Sequence, residues 1–281
     1  MALTNEEAHA LSRKRGTSWV YETARFVLTP IAAVWYRFKV TGREYVPPEG
    51  PVIIAPNHKS FYDSFFIGLA TTRHLHFMAK TELFEGKKTA RLLSGLGAFP
   101  VRRGTADPAA LETARLHLEK GRVLAMFPEG TRHRDPETLR EPRRGVGRLA
   151  IEAGAPIVPC AITGTDKLFA GGWFPKPVKV QVSFAPAISP AELEATPEAA
   201  QDLIENQVWP EVEREFARLR ANPGLIAAAV AVLGSAAGGG VAYQKSHKKP
   251  KRRIAKVKVK YPSFKVKLPK RRKKSKNPFK R

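Results

Sequence analysis

A histidine and an aspartate, His58 and Asp63, are the first residues in this chain whose types and spacing suggest chemistry. They bound the run Asn57-His58-Lys59-Ser60-Phe61-Tyr62-Asp63, which directly follows the apolar stretch Val52-Ile53-Ile54-Ala55. On one continuous α-helix, five steps of about 100° would leave the two side chains about 140° apart, on different faces. They meet if His58 lies in the turn before a helix and Asp63 points back from its first turns, with Ser60 as the candidate N-cap. Asp63 then accepts the imidazole N–H, fixes the tautomer and stabilises the imidazolium. The other ring nitrogen is free to act as a general base, with an ordinary pKa of about 6.5. Taken alone, a His-x4-Asp is more often a solvated surface pair.

A second constellation, Phe127-Pro128-Glu129-Gly130-Thr131-Arg132, follows the apolar run Val123-Leu124-Ala125-Met126-Phe127. Pro128 and Gly130 turn the chain at a strand's carboxyl end, where ligands of open α/β sheets bind. Arg132 offers a planar fork of donors suited to phosphate, and Thr131 adds a hydroxyl. Glu129 can hold a glycerol-like hydroxyl or orient the arginine, and the plain alternative is a turn with a surface Glu–Arg pair. A third element, Gly97-Ala98-Phe99-Pro100-Val101-Arg102-Arg103, reads as a strand ending in two arginines, which converge with Arg132 on an anion or stay solvated.

The elements that must position these groups alternate along residues 41–220. Strands are expected at 52–55, 75–79, 98–101, 123–127, 157–162 and 178–184, the last half-exposed; helices are expected at 108–120 and 145–153, with an amphipathic helical region at 190–220. This alternation predicts one α/β domain around a mostly buried sheet. The 281 residues, 43% of them hydrophobic, are enough for a substantial core and exclude disorder throughout. A single cysteine, Cys160, excludes an intrachain disulfide framework and reads as a core residue in its apolar run. His74 and His76 alternate on a strand without further ligands, so no metal is expected.

Charge divides the chain. The net charge is +24, yet residues 245–281 hold 19 Lys and Arg and no acid, leaving only +5 for the rest. We divide the sequence into a polar segment and interfacial helix (1–40), the α/β domain (41–220), an Ala/Gly-rich hydrophobic segment or linker (221–244) and a basic tail (245–281). Phe26 to Tyr36 is an 11-residue apolar run broken by Pro30 and flanked by Arg25 and Arg37. It is too short to cross a bilayer, which takes about 20 apolar residues. It suits a helix lying in the membrane interface, or else a helix packed on the domain. Leu225 to Tyr243 is long enough to span, but seven of its 19 residues are Ala and four are Gly, so spanning helix, membrane-associated helix and linker all stay open. The tail is expected to be disordered in isolation and attracted to an anionic phospholipid membrane; nucleic acid is the less favoured partner, and a merely solubilising extension the plainest reading.

In this order and spacing, Asn57-His58-x4-Asp63, Gly97-x-Phe99-x-x-Arg102, Phe127-Pro128-Glu129-Gly130-Thr131-Arg132 and Val158-Pro159 resemble the glycerolipid acyltransferases, specifically the bacterial 1-acyl-glycerol-3-phosphate type. The resemblance covers about residues 20–200; Pro100 and His133 depart from residue types common in the family at those places. It implies a glycerol-3-phosphate acyltransferase-like domain with a mixed sheet flanked by helices, acting at the cytoplasmic face of a bacterial membrane. It further implies acyl transfer from acyl-CoA or an acyl-carrier protein to lysophosphatidic acid, with no metal or redox cofactor. By that resemblance His58 is the general base and Asp63 its partner, while Arg102, Glu129, Gly130, Thr131 and Arg132 bind the acceptor. Lys80 is a further phosphate candidate, although a lysine in such a place is more often solvated.

Overall fold

A computed structural model describes residues 4–14, 19–102, 107–170, 172–190 and 193–221. The expected segment 221–244, the basic tail and Arg103 thus lie, apart from Ala221, outside the described residues. Helices α1 (Asn5–Lys14) and α2 (Trp19–Trp35) precede the domain. There follow β1 (Lys39–Thr41), β2 (Val52–Pro56), α3 (Asp63–Ala70), β3 (Leu75–Lys80), α4 (Lys87–Gly95), β4 (Ala98–Val101), α5 (Pro108–Glu119) and β5 (Val123–Ala125). The domain closes with α6 (Gly145–Ala153), β6 (Ile157–Thr163), β7 (Gln181–Phe184), α7 (Pro197–Asp202) and α8 (Trp209–Arg220).

The seven strands form one sheet in the order β1-β7-β6-β2-β5-β3-β4, in which only the β6–β7 pair is antiparallel. Successive strand residues face opposite sides, so Val52 and Ile54 join one core layer while Ile53 and Ala55 join the other. Helix α3 contributes Phe66 and Ile67 to the first layer, and α5, α6 and α8 contribute Leu118, Leu149 and Val212 to the second. With both faces covered, the strands read as continuous apolar runs. β2, β3, β4, β5 and β6 all run parallel, so their carboxyl ends line one edge of the domain.

Several local expectations are corrected. The strand expected over 178–184 begins only at Gln181, and Val182, Ser183 and Phe184 are buried instead of half-exposed. Its alternation misled because short β1, which carries no apolar run of its own, pairs with it and makes β7 an interior strand. The polar residues 5–14 form α1, which packs on α5 through Ser12 with His117 and through His9 and Arg13 with Thr113. Ser60 is not the N-cap of α3. The helix starts at Asp63, whose own carboxylate reaches back to the preceding amides.

Helix α2 continues through Pro30. Tyr21 pins it to the domain, donating to Gly68 O and accepting from Leu75 N, while Arg25 donates to the carbonyls of Thr71 and Thr72. Glu22 also meets His74 and Ala32 is buried against the domain, while the outward face of the helix is open, with Phe26 83% and Val34 80% exposed. No helix among the described residues is long and apolar enough to cross a membrane.

Candidate active site

At the carboxyl end of β2 the chain leaves the sheet through Asn57, whose side-chain amide exchanges two hydrogen bonds with the backbone of Ile162 on neighbouring β6 (3.1 and 2.8 Å). That double tie fixes the start of the turn in which His58 sits. His58 Nδ1 lies 2.9 Å from Asp63 Oδ2, and both residues are buried. The amides of Lys59 and Ser60 donate to the same oxygen at 2.7 and 2.8 Å, and Thr165 Oγ1 donates to Oδ1 at 2.5 Å. A carboxylate fed by this many donors, at the start of α3, is held in one orientation. With Nδ1 given to Asp63, Nε2 is the ring nitrogen left for the cleft that His58 lines. The imidazole also stacks on Phe127, just past the end of β5, centroids 3.9 Å apart, which restricts its swing.

The Pro128-Glu129-Gly130 turn brings the second constellation alongside, because β5 is the immediate neighbour of β2. Gly130 has φ 69°, a left-handed conformation, and its missing side chain leaves room for the guanidinium of Arg143, whose Cδ and Nε would lie 3.3 Å from a Cβ there. Glu129 is fully buried and turned inward: Oε1 accepts the His58 amide at 2.7 Å and Oε2 accepts the Arg140 amide at 3.2 Å. Burial holds its carboxyl above the ordinary glutamate range, while those two amides pull the other way. Here it works as a clamp between the histidine turn and the arginine-bearing loop. Arg132 is not its partner among the described residues, and each of its oxygens accepts a backbone amide.

Two further ties were not legible beforehand. The His133 amide donates to His58 O at 2.9 Å. Lys59 is buried, with Nζ donating to the carbonyls of Asp135 (2.5 Å) and Thr138 and sitting 5.3 Å over the Phe216 ring. Desolvation lowers its pKa, against the raising charge of Glu129. A lysine inside a histidine turn gives no signal of this in sequence, since its partners are backbone carbonyls about 80 residues away.

The cleft gathers His58, Arg132 and Lys80 beside an apolar wall that includes Phe61, Phe65, Phe77, Leu83 and Leu93. Arg132 has no hydrogen bond or ion pair among the described residues and is available to an anion. Lys80 is half exposed and pairs with Glu82 at 2.8 Å. Thr131 Oγ1 accepts from Arg140, so it supports the loop. Arg102 stands apart: it follows edge strand β4, three strand spacings or about 14 Å from β2. Its guanidinium Nε lies 3.6 Å from Asp107, and it does not line the His58 cleft. Among the described residues no group of three or more His, Cys, Asp or Glu is placed to hold a metal ion.

A histidine–carboxylate pair at the end of a parallel strand, an unpaired arginine in the same cleft and an apolar wall together form a site for moving a proton beside an anionic, partly apolar substrate. Residues 37–163 match the family model described as Acyltransferase. The chain is 33% identical over 127 residues to the 1-acyl-sn-glycerol-3-phosphate acyltransferase of Bacillus subtilis, and 32% identical over 157 residues to that of Limnanthes douglasii. These alignments take in 45% and 54% of this chain, and they span 62% and 54% of the two relatives' lengths. Among solved structures, the 1-acyl-sn-glycerophosphate (LPA) acyltransferase PlsC from Thermotoga maritima superposes with a TM-score of 0.56 at 25% identity, covering 72% of this chain and 83% of that one. The matched acyltransferase segment contains His58, Asp63, Glu129 and Arg132, and it stops at Thr163, two residues short of Thr165.

Proposed function

We propose that this protein is a 1-acyl-sn-glycerol-3-phosphate acyltransferase, moving an acyl group from a thioester donor, acyl-CoA or an acyl-carrier protein, to lysophosphatidic acid and forming phosphatidic acid. The observation that carries this reading is that the Asp63-bound His58 and the unpaired Arg132 share one cleft with an apolar wall. Arg132, with Lys80 at the rim, takes the acceptor phosphate, and the apolar wall takes acyl chain. His58 Nε2 removes the proton of the free glycerol hydroxyl as its oxygen attacks the thioester carbonyl. The tetrahedral oxyanion collapses with cleavage of the C–S bond, and the imidazolium returns its proton to the departing thiolate. Asp63 stabilises the imidazolium between these two transfers. Every atom is accounted for by the two substrates, so the step calls for no metal or redox cofactor.

The same reading places the domain on a membrane surface, at the cytoplasmic face in a bacterium. Support comes from the outward face of α2 and from Trp173 (82% exposed) and Phe174 in the loop beside it, which is tied to α2's end by Trp35 Nε1 donating to Pro175 O (3.4 Å). Exposed aromatics flanked by Arg37 and Lys176 suit the depth of lipid headgroups. The basic tail would add attraction to anionic lipid. The deciding experiment measures thiol release from acyl-CoA, and from acyl-carrier protein, with and without 1-acyl-glycerol-3-phosphate. Acceptor-dependent release by the wild type that disappears in His58→Ala is expected. Release that ignores the acceptor, or that His58→Ala retains, overturns the assignment.

A further inference from the structure

Thr165 lies 102 residues beyond Asp63 in sequence, yet its hydroxyl meets the aspartate's Oδ1 at 2.5 Å in a fully buried setting. The division of labour on this carboxylate is uneven. Oδ2 takes three donors, His58 Nδ1 and the amides of Lys59 and Ser60, whereas Thr165 is the donor found on Oδ1 among the described residues. A carboxylate held only through Oδ2 can still rotate about its Cβ–Cγ bond. Fixing Oδ1 as well sets the plane of the group, and with it the direction in which Oδ2 faces the imidazole. We propose that Thr165 is a positioning residue for the acyl-transfer reaction, acting through Asp63 to hold His58 in the tautomer and orientation that present Nε2 to the acceptor hydroxyl. This rests on the function proposed above.

The backbone is built to deliver that hydroxyl. β6 ends at Thr163, and Gly164 then adopts φ 89°, where a Cβ would stand 2.1 Å from Lys179 O. Only glycine fits there, and the reversal drops Thr165 into the first position of a short 3-10 helix, directly over the carboxyl end of β6. Asn57 ties this strand to the histidine turn from the other side, so Thr165 and His58 are referenced to the same pair of strands. The β-branched side chain has few rotamers, which keeps the hydroxyl aimed at Asp63.

The test separates hydroxyl from shape. Thr165→Val keeps the branched shape and removes the donor, and Thr165→Ser keeps the donor and loses a methyl. Loss of one hydrogen bond to a buried charge corresponds to a roughly ten- to hundredfold fall in kcat. We expect that fall in Thr165→Val with the acceptor KM within about twofold of wild type, and we expect Thr165→Ser to stay within about threefold in kcat. In parallel, full-length protein labelled with ¹⁵N-histidine, with the His58 signals assigned by their disappearance in His58→Gln, reports the ring directly. The Nδ1–H signal should shift or exchange-broaden in Thr165→Val and survive in Thr165→Ser. If Val fails to fold, Thr165→Ala is read in the same two ways. Full activity with an unchanged His58 signal in the variants lacking the hydroxyl overturns the proposal. So does equal damage from Ser and Val, which would make Thr165 a packing residue. A wild type that transfers no acyl group refutes the function reading instead, and the nitrogen signals then still decide whether Thr165 orders His58.

Discussion

His58 and the His76–His117 pair are buried histidine sites at opposite ends of one sheet, and their neighbours make them different chemical objects. His58 follows the carboxyl end of β2 and has a carboxylate on one nitrogen. His76 sits near the amino end of β3, its ring 4.2 Å from that of His117, and its Nδ1 has no hydrogen-bond partner among the described residues. His117 meets Ser12 and the Arg122 guanidinium. With burial first and nearby positive charge second, His76 is pushed down to about 3; burial and then His76 itself push His117 down to about 2. Burial, with positive charge nearby and no carboxylate partner, therefore favours neutral rings. His58 differs in having a buried carboxylate on Nδ1, the partner that the proposed general-base role requires.

The largest effect expected from breaking this contrast is at the catalytic end. Asp63→Asn converts His58 into a histidine without an anionic partner, and kcat should fall by about 10²–10⁴-fold while the melting temperature moves little. An Asp63→Asn enzyme as fast as wild type in a steady-state assay would remove the pair from the mechanism. Next is the clamp: Glu129→Ala leaves the His58 and Arg140 amides unsatisfied in a buried place, costing about 1–3 kcal/mol in denaturant unfolding and lowering activity with it.

The inert end predicts acid lability. Because the folded pKa values of His76 and His117 lie below the unfolded value, the unfolded chain binds more protons between about pH 3 and 6.5. Stability is therefore complete above about pH 6.5 and falls on acidification, by up to about 1.4 kcal/mol per pH unit for each ring. Urea midpoints measured from pH 7.5 to 5 should show this slope, and His76→Leu should flatten it. The smallest contrast separates centre from edge within the carboxyl end of the sheet. Arg132→Ala should raise the acceptor KM about tenfold or more, whereas Arg102→Ala, at the edge and paired with Asp107, should change it less than about threefold. Equal effects from the two arginines would show that the acceptor reaches across the sheet.

Much of this was readable from residue order because the relevant physics is local. A run such as Val52 to Ala55 is buried on both faces and says so in its composition; a His-x4-Asp after it, and a Pro-Glu-Gly turn after the run at 123–127, announce strand ends that carry chemistry. Gly154, in a left-handed conformation, closes α6 where the periodicity stops. What adjacency in space decides was out of reach. Glu129 and Arg132 share one motif, yet tertiary structure turned the glutamate inward to backbone amides and left the arginine in the cleft. Arg102 ended a legible strand, but strand order put that strand at the edge. Thr165 and Lys59 carry no motif, since a hydroxyl or an ammonium acquires its role only from a carboxylate or carbonyl brought to it by folding. Sequence alone determined which residues could do proton transfer and anion binding, through side-chain chemistry and local turn geometry. The sheet's order and register decided which of them meet, because hydrogen-bond and electrostatic coupling fall away within a few ångströms and only the packed chain sets those distances.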